Sequence, residues 1–106
     1  MSMMKVYLSP LAEKKLVMLL EYLETEWNER VKDNFLQKLI KSFERVALYP
    51  KSCTESFRFP NLYKCVITEQ TSFYYRIISD EIEVITVIDN RQDSDAVARE
   101  IIKFLN

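Results

Sequence analysis

The residues of this chain best suited to chemistry are cations that lie within or beside its aromatic and β-branched segments. Arginine and lysine side chains hold phosphate and carboxylate oxygens and stabilise developing negative charge. Aromatic side chains interleaved with such cations are typical of surfaces that bind single-stranded nucleic acid. The amide of Asn90, in the polar segment after the last apolar run, can add hydrogen bonds to such a surface. We therefore predict a binding surface made by Arg58, Tyr63, Lys64, Arg76, Asn90 and Arg91.

Each of these residues also has a structural explanation. An acid close in sequence can neutralise a cation, and tyrosine is a common strand residue whose ring packs well in a core. Within the polar segment Asp89–Asp93, the acid Asp93 can simply cap a helix. The binding hypothesis therefore depends on Lys64, Arg76 and Arg91 projecting outward from one surface without internal counter-ions.

The sequence contains neither histidine nor glycine. Without histidine the chain lacks the usual general base, the commonest metal ligand and any serine–histidine or cysteine–histidine nucleophile pair. Without glycine it cannot form the loops that cradle nucleotide phosphates. Cys53 and Cys65 are separated by eleven residues, and we expect inert thiols rather than a disulfide or a zinc site. We therefore expect no metal, no cofactor and no hydrolase triad.

A length of 106 residues indicates a single domain over residues 1–106 with one core. The formal net charge is −1, but residues 50–79 contain four bases and two acids, so positive charge is concentrated there. A total charge near zero argues against tight, non-specific binding to nucleic acid. The apolar runs are too short to span a membrane and the first residues lack a secretory pattern, so we expect a cytoplasmic protein.

Hydrophobic periodicity predicts a helical hairpin after a short first strand at Lys5–Leu8. Ser9 followed by Pro10 predicts the start of the first helix, and Asn28 can cap the second. Apolar residues recur at helical spacing in both segments. The two stripes consist of Ala12, Leu16, Leu19, Leu20, Leu23 and Trp27, and of Val31, Phe35, Leu39, Ile40, Phe43, Val46 and Ala47.

Three apolar and aromatic runs predict strands over residues 62–68, 72–78 and 82–88. The last run is almost continuously apolar, which predicts a central strand covered on both faces. Asp93 or Ser94 can cap a short final helix. We therefore predict an α+β fold in which the antiparallel helical hairpin packs on a curved, mainly antiparallel four-stranded sheet that includes the N-terminal strand.

The order and spacing of these residues resemble the RelE/ParE superfamily of small bacterial toxins from type II toxin–antitoxin systems, and more closely its ParE branch. The resemblance extends from Val6 to Asp93. Its matching positions are Tyr7, Leu8, Ser9, Ala12, Leu16, Tyr22, Trp27, Leu39, Phe43, Pro50, Phe57, Arg58, Leu62–Cys65, Phe73–Ile77, Glu83–Ile85 and Val87–Asp93.

The resemblance implies a plasmid-stabilisation toxin that inhibits bacterial growth and is wrapped by the C-terminal segment of an antitoxin. The ParE branch is linked to poisoning of DNA gyrase, whereas the other branch cleaves messenger RNA on the ribosome. For cleavage, Lys64, Arg76 and Arg91 would be the catalytic cations. We favour gyrase binding, because Phe73 stands where the nuclease branch tends to carry arginine and no tyrosine or histidine follows Asp89. A third alternative is a degenerate member that binds its antitoxin without toxicity.

The apolar face of the helical hairpin is our predicted antitoxin site, since a partner helix or strand can cover an apolar groove. The residues expected to form that site are Leu16, Leu20, Leu23, Phe35 and Leu39. The sequence leaves open which antitoxin binds and whether the free protein forms a homodimer.

Overall fold

The computed structural model describes residues 3–106, which form three helices and five strands. In chain order these are β1 (Lys5–Leu8), α1 (Pro10–Glu26), α2 (Glu29–Leu48), β2 (Thr54–Glu55), β3 (Tyr63–Val66), β4 (Thr71–Ile78), β5 (Glu81–Asp89) and α3 (Ser94–Leu105). Every predicted helix and strand is present, and β2 is an addition. Within residues 3–106 no helix is long and apolar enough to cross a membrane.

Ser9 starts α1 and attaches it to the sheet. Its buried hydroxyl accepts a hydrogen bond from the amide of Ala12 (3.0 Å) and donates one to the carbonyl of Ile85 (2.7 Å). Pro10 occupies the first turn, where its missing N–H would have no helical partner. The predicted helix start is confirmed, and the same side chain fixes the distance between the helix and β5.

A two-residue connection folds α2 back against α1. Asn28 caps α2, because its side-chain oxygen accepts a hydrogen bond from the amide of Val31 (2.9 Å). The residues of the predicted stripes are buried or partly buried except at two positions, Trp27 (65 % exposed) and Ile40 (53 % exposed). Trp27 is the C-cap residue of α1 and has left the helical backbone conformation, so helical periodicity no longer sets the direction of its side chain.

The sheet is mixed and has five strands in the order β1-β5-β4-β3-β2. The strands β1 and β5 pair in parallel, and the other pairs are antiparallel. The predicted count of four strands was wrong because β2 has only two residues, too few to show an alternating pattern. As predicted, β5 lies in the interior of the sheet and is buried along most of its length.

The two faces of the sheet are covered by different helices. The helical hairpin covers one face, which we call the hairpin face, where Leu39 packs with Phe73 and Tyr75. Helix α3 covers part of the other face, which we call the α3 face, through Val97 and Ile101. Strands β4 and β5 therefore have buried side chains on both faces, which explains why apolar residues do not simply alternate with polar ones in these two segments.

The residues predicted to contact an antitoxin lie in the core on the hairpin face. Leu16, Phe35 and Leu39 are buried there, and Leu20 and Leu23 pack at its edge. The chain's own sheet covers Leu16, Phe35 and Leu39, so these three side chains do not line an open groove. Leu20 and Leu23 are only partly buried and stay candidates for contact with a partner.

The β4–β5 hairpin turns through Ser79 and Asp80, which both have positive φ (51° and 64°). Since Ile78 pairs with Glu81, the loop has two residues, and positive φ at both gives the type I′ turn that suits the twist of the strands. Asn61 (φ 71°) is the third such position. Glycine adopts this conformation most easily, and a chain without glycine places these turns on Asn, Asp and Ser.

Candidate functional site

A cleft of about 250 Å³ opens on the α3 face of the sheet. Strands β3, β4 and β5 contribute its floor, the loop after β2 forms one wall, and the first turns of α3 form the other. We call it the basic cleft, and it is lined by Ser56, Arg58, Phe59, Lys64, Tyr74, Ile88, Asp89, Asn90, Gln92, Ser94, Val97 and Ala98. Three of the six predicted binding residues, Arg58, Lys64 and Asn90, are brought together there.

Lys64 is directed into the basic cleft by strand alternation. Its neighbours Tyr63 and Cys65 pack on the hairpin face, so Lys64 points to the α3 face. It lies opposite Tyr74 in the β3–β4 ladder. Among residues 3–106, no ion pair involves Lys64. The residue is half-buried, and its ammonium group is therefore available to an anionic ligand.

Arg58 adds a second cation on the loop after β2. Its Nη1 lies 3.4 Å from Oδ1 of Asp95 on α3, and both side chains are exposed. Its guanidinium carbon lies 5.9 Å from the centre of the Phe59 ring. An exposed ion pair of this kind contributes little stability, so Arg58 can exchange Asp95 for a ligand group at small cost.

Asn90 has a structural role that limits its use in binding. Its Oδ1 accepts a hydrogen bond from the buried hydroxyl of Ser72 (2.7 Å), and its Nδ2 donates to the carbonyl of Glu69 (3.1 Å). These bonds fasten the end of β5 to the start of β4. Asn90 therefore shapes the floor of the basic cleft more than it offers free polar atoms.

The titratable groups of the basic cleft, apart from its cations, are poorly suited to proton transfer at neutral pH. Burial raises the pKa of Tyr74, so its phenol stays protonated. Hydrogen bonds from Arg91 lower the pKa of Asp89 to about 2, so its carboxylate stays ionised and is a weak base. The described residues 3–106 also contain no cluster of three or more His, Cys, Asp or Glu that could hold a metal. The cleft thus offers cations and hydrogen-bonding groups.

The other three predicted binding residues, Tyr63, Arg76 and Arg91, lie away from the basic cleft. Arg76 is neutralised across the β4–β5 ladder, where its Nε donates to Oε1 of Glu83 (2.8 Å), and the Glu83 side chain is only 13 % exposed. Its guanidinium carbon also lies 5.4 Å from the centre of the Phe104 ring. Tyr63 faces the other side of the sheet and stacks on Tyr75, with ring centres 5.3 Å apart.

Arg91 is exposed but already paired. It forms a two-pronged hydrogen bond with the carboxylate of Asp89 (2.8 and 3.0 Å). Lys64, Arg76 and Arg91 therefore do not share a surface, and the expectation that all three project freely was wrong. Strand register places Arg76 opposite Glu83, and the turn after β5 places Arg91 next to Asp89. Lys64 and Arg58 are therefore the two predicted cations that remain for binding a ligand in the basic cleft.

A second, larger groove of about 720 Å³ runs between the helical hairpin and the β4–β5 end of the sheet. We call it the aromatic groove, and its lining residues are Lys15, Leu19, Tyr22, Leu23, Trp27, Val31, Gln70, Thr71, Val87, Ile88, Asp89, Arg91 and Gln92. Tyr22 and Trp27 are both more than half exposed. The helical periodicity predicted that Trp27 is part of the buried apolar stripe of α1, and it predicted no functional role for Tyr22. The signal that could have identified them was two large aromatic residues at the end of α1.

Beside this groove, one edge of β5 has no strand partner over part of its length. The parallel partner β1 ends at Leu8 opposite Val84, and the chain then turns into α1 with Ser9 bonding to the carbonyls of Val84 and Ile85. Beyond Ile85, among residues 3–106, no strand pairs with β5 on this side. An unpaired strand edge next to exposed aromatic rings is a typical docking site for an extended segment of another chain.

The comparison with known families agrees with this architecture. The sequence matches the model of the ParE toxin of type II toxin–antitoxin systems (parDE) over residues 6–94. The chain belongs to the ParE toxin family. This membership confirms the resemblance seen in the sequence.

Solved structures share the fold at low sequence identity. A chain of the chromosomal ParDE toxin–antitoxin system from P. aeruginosa has a TM-score of 0.67 at 12 % identity, with 82 % of this chain and 96 % of that chain covered. A YoeB/ParE toxin from Agrobacterium tumefaciens has a TM-score of 0.60 at 15 % identity, with coverage of 82 % and 99 %. A conserved hypothetical protein from Helicobacter pylori gives 0.56 at 16 %, with coverage of 85 % and 98 %. A search of curated proteins found no match.

Proposed function

We propose that this ParE-family protein inhibits bacterial growth by binding DNA gyrase, and that a cognate antitoxin neutralises it. The observation that carries the binding mechanism is the basic cleft, in which the unpaired Lys64 lies beside the weakly paired Arg58 and no group is suited to proton transfer. Gyrase as the target is inferred from membership of the ParE family.

Cleavage of RNA makes different demands on such a site. A general base must deprotonate the 2′-hydroxyl, an acid must protonate the leaving oxygen, and cations must converge on the phosphate. Arg76 is paired with Glu83 and Arg91 with Asp89, and neither arginine lines the basic cleft. The geometry therefore favours a binding surface over a ribonuclease site.

The test is inhibition of gyrase supercoiling by the purified protein. Lys64→Ala is expected to weaken inhibition about tenfold or more, since a hydrogen bond to a charged group contributes about 1.5–3 kcal/mol. Lys41→Ala is the matched control, because Lys41 is an exposed lysine of α2 that lines neither the basic cleft nor the aromatic groove. Cleavage of ribosome-bound message without any effect on supercoiling would refute the proposal, and so would normal growth of cells that express the soluble protein.

We infer that the antitoxin occupies the aromatic groove and pairs with the edge of β5 that has no strand partner. Tyr22 and Trp27 offer apolar area, and the edge of β5 that has no strand partner offers backbone hydrogen bonds. This surface fits an extended or helical segment with apolar residues. Of the hairpin residues that the sequence suggested, Leu23 lines this groove, whereas Leu16, Phe35 and Leu39 are buried in the core.

Trp27 makes this inference measurable, because it is the single tryptophan of the chain. Adding the product of the neighbouring antitoxin gene should shift its fluorescence to shorter wavelength as the indole leaves water. Tyr22→Ala should weaken antitoxin binding about tenfold, since exposed aromatic residues dominate such interfaces. Tyr49→Ala is the control, because Tyr49 is equally exposed at the other end of the hairpin. Tight binding with unchanged Trp27 emission would place the antitoxin elsewhere.

A further inference from the structure

The two cysteines face each other across the β2–β3 ladder. Thr54 pairs with Lys64, and one further step in this antiparallel register places Cys53 opposite Cys65. Both side chains pack on the hairpin face, Cys65 inside the core and Cys53 at its edge. Eleven intervening residues therefore separate two thiols that the fold brings together.

The hydrogen-bonding pattern between β2 and β3 brings the backbones close enough for a disulfide at this position. The amide of Ser56 donates to the carbonyl of Leu62, which makes that pair a hydrogen-bonded one. Hydrogen-bonded and non-hydrogen-bonded pairs alternate, so the Cys53–Cys65 position is non-hydrogen-bonded, where Cα atoms approach to about 4.5 Å. Disulfides require Cα atoms about 4.4–6.8 Å apart. The backbone spacing expected at this position falls within that range.

Arg45 of α2 links the two sulfur atoms. Its Nη2 lies 2.9 Å from Sγ of Cys65 and 3.7 Å from Sγ of Cys53. A guanidinium group beside sulfur stabilises negative charge on it. Burial, followed by hydrogen bonding to Cys53, nevertheless raises the pKa of Cys65 to about 12, so Cys65 is not the thiol that reacts first. Cys53 is the partly exposed thiol and is therefore the one that an oxidant reaches.

We propose that Cys53 and Cys65 form a reversible redox site in which a peroxide converts the two free thiols into an intrachain disulfide. The Cys53 thiolate attacks one peroxide oxygen, the O–O bond breaks, and hydroxide leaves, so that sulfur is oxidised to a sulfenic acid and the peroxide is reduced. The Cys65 sulfur then attacks the Cys53 sulfur. The S–S bond forms, the S–O bond breaks, and the Cys65 proton leaves with hydroxide as water.

The disulfide has a consequence for the basic cleft. The loop that it closes contains Ser56, Arg58 and Phe59, which form one wall of that cleft. The short strand β2 holds this loop to the sheet in the reduced protein. A covalent link at the start of β2 would restrict the loop and slow amide exchange in it. The site works on the chain alone and does not depend on gyrase or antitoxin.

The test is treatment of the full-length protein with hydrogen peroxide, followed by thiol titration in denaturant and mass spectrometry. Free thiols should fall from two to none per chain, and trypsin should release a linked pair of peptides, Ser52–Arg58 with Cys65–Arg76. Dithiothreitol should restore both thiols. The melting temperature should rise by roughly 10 °C, as expected for closing a short loop in a domain of this size. Hydrogen exchange should slow at residues 56–61.

Two variants separate the roles of the cysteines. Cys65→Ala should leave Cys53 as a sulfenic acid that dimedone traps, whereas Cys53→Ser should leave Cys65 reduced. Cys53 lies at the edge of the core, so its variant tests the proposal even where the Cys65 variant fails to fold. Disulfides between chains, oxidation of Cys53 beyond the sulfenic state beside a free Cys65, or persistence of both thiols would overturn the proposal. An unchanged melting temperature in the crosslinked protein would overturn the inferred restriction of the loop.

Discussion

Replacing Glu100 with alanine should destabilise the protein strongly for a residue that solvent partly reaches. Glu100 lies on α3 and joins three elements. Its Oε1 accepts a hydrogen bond from the Thr86 hydroxyl of β5 (2.6 Å), and its two oxygens lie 3.1 and 3.0 Å from Nζ of Lys15 on α1. Lys15 reaches Glu100 past the edge of β5 that β1 leaves open.

The magnitude follows from the burial of these three groups. The Thr86 side chain is fully buried, and without Glu100 its hydroxyl keeps only a long contact of 3.5 Å to the carbonyl of Val87. An unsatisfied buried hydroxyl costs about 1–3 kcal/mol. The side chains of Lys15 and Glu100 are 28 % and 25 % exposed, so loss of their pair costs less than the 3–5 kcal/mol typical of a fully buried one. We expect a total of about 2–4 kcal/mol.

The assay is urea denaturation followed by circular dichroism, in a double-mutant cycle. Glu100→Ala alone should lower the free energy of unfolding by about 2–4 kcal/mol, and Thr86→Val alone by about 1 kcal/mol. In the Glu100→Ala background, Thr86→Val should cost nothing or stabilise the protein, because it removes a hydroxyl that has lost its partner. Glu100→Gln keeps an acceptor for Thr86 and should have about half the effect of alanine.

Additive effects of the two substitutions, or a loss below about 0.5 kcal/mol for Glu100→Ala, would refute this reasoning. Either result would mean that water replaces the carboxylate without penalty, and hence that the Thr86 hydroxyl is not sealed from solvent. Because α3 forms one wall of the basic cleft, the same variant should also weaken gyrase inhibition where enough folded protein remains to measure it.

Three further substitutions test other contacts. Arg76→Met should lower the free energy of unfolding in urea by about 2–3 kcal/mol, since the nearly buried carboxylate of Glu83 loses its partner. Asp89→Asn should destabilise by less than about 1 kcal/mol, because its pair with Arg91 is exposed. Arg91 lowers the pKa of Asp89 from 3.8 to about 2. The variant and the unmodified protein should therefore differ most in their free energy of unfolding above pH 3.8, and this difference should disappear as the pH falls through 2. Ser79→Gly should raise the thermal stability by about 1 kcal/mol, since glycine adopts positive φ without steric cost; a lower melting temperature would contradict the turn geometry.

Much of the architecture was predictable because it is encoded in short segments. Ser9 and Asn28 cap their helices within three residues of their own positions. The apolar run of β5 required burial on both faces whatever covered it. The prediction failed where the signal was too short or had ended: β2 has two residues, and Trp27 lies just beyond the last helical turn of α1.

The amino-acid sequence by itself determined the α+β class, the start of both hairpin helices, the central strand and the ParE family, because capping, periodicity and family motifs all act along the chain. Tertiary structure decided which cations are free. Arg76 is neutralised only because the β4–β5 register sets it opposite Glu83, whereas Lys64 faces a tyrosine. It also brought Cys53 to Cys65. Which side chains meet across neighbouring strands depends on the strand register and on the direction of each side chain. The spacing of residues along a single segment determines neither of these.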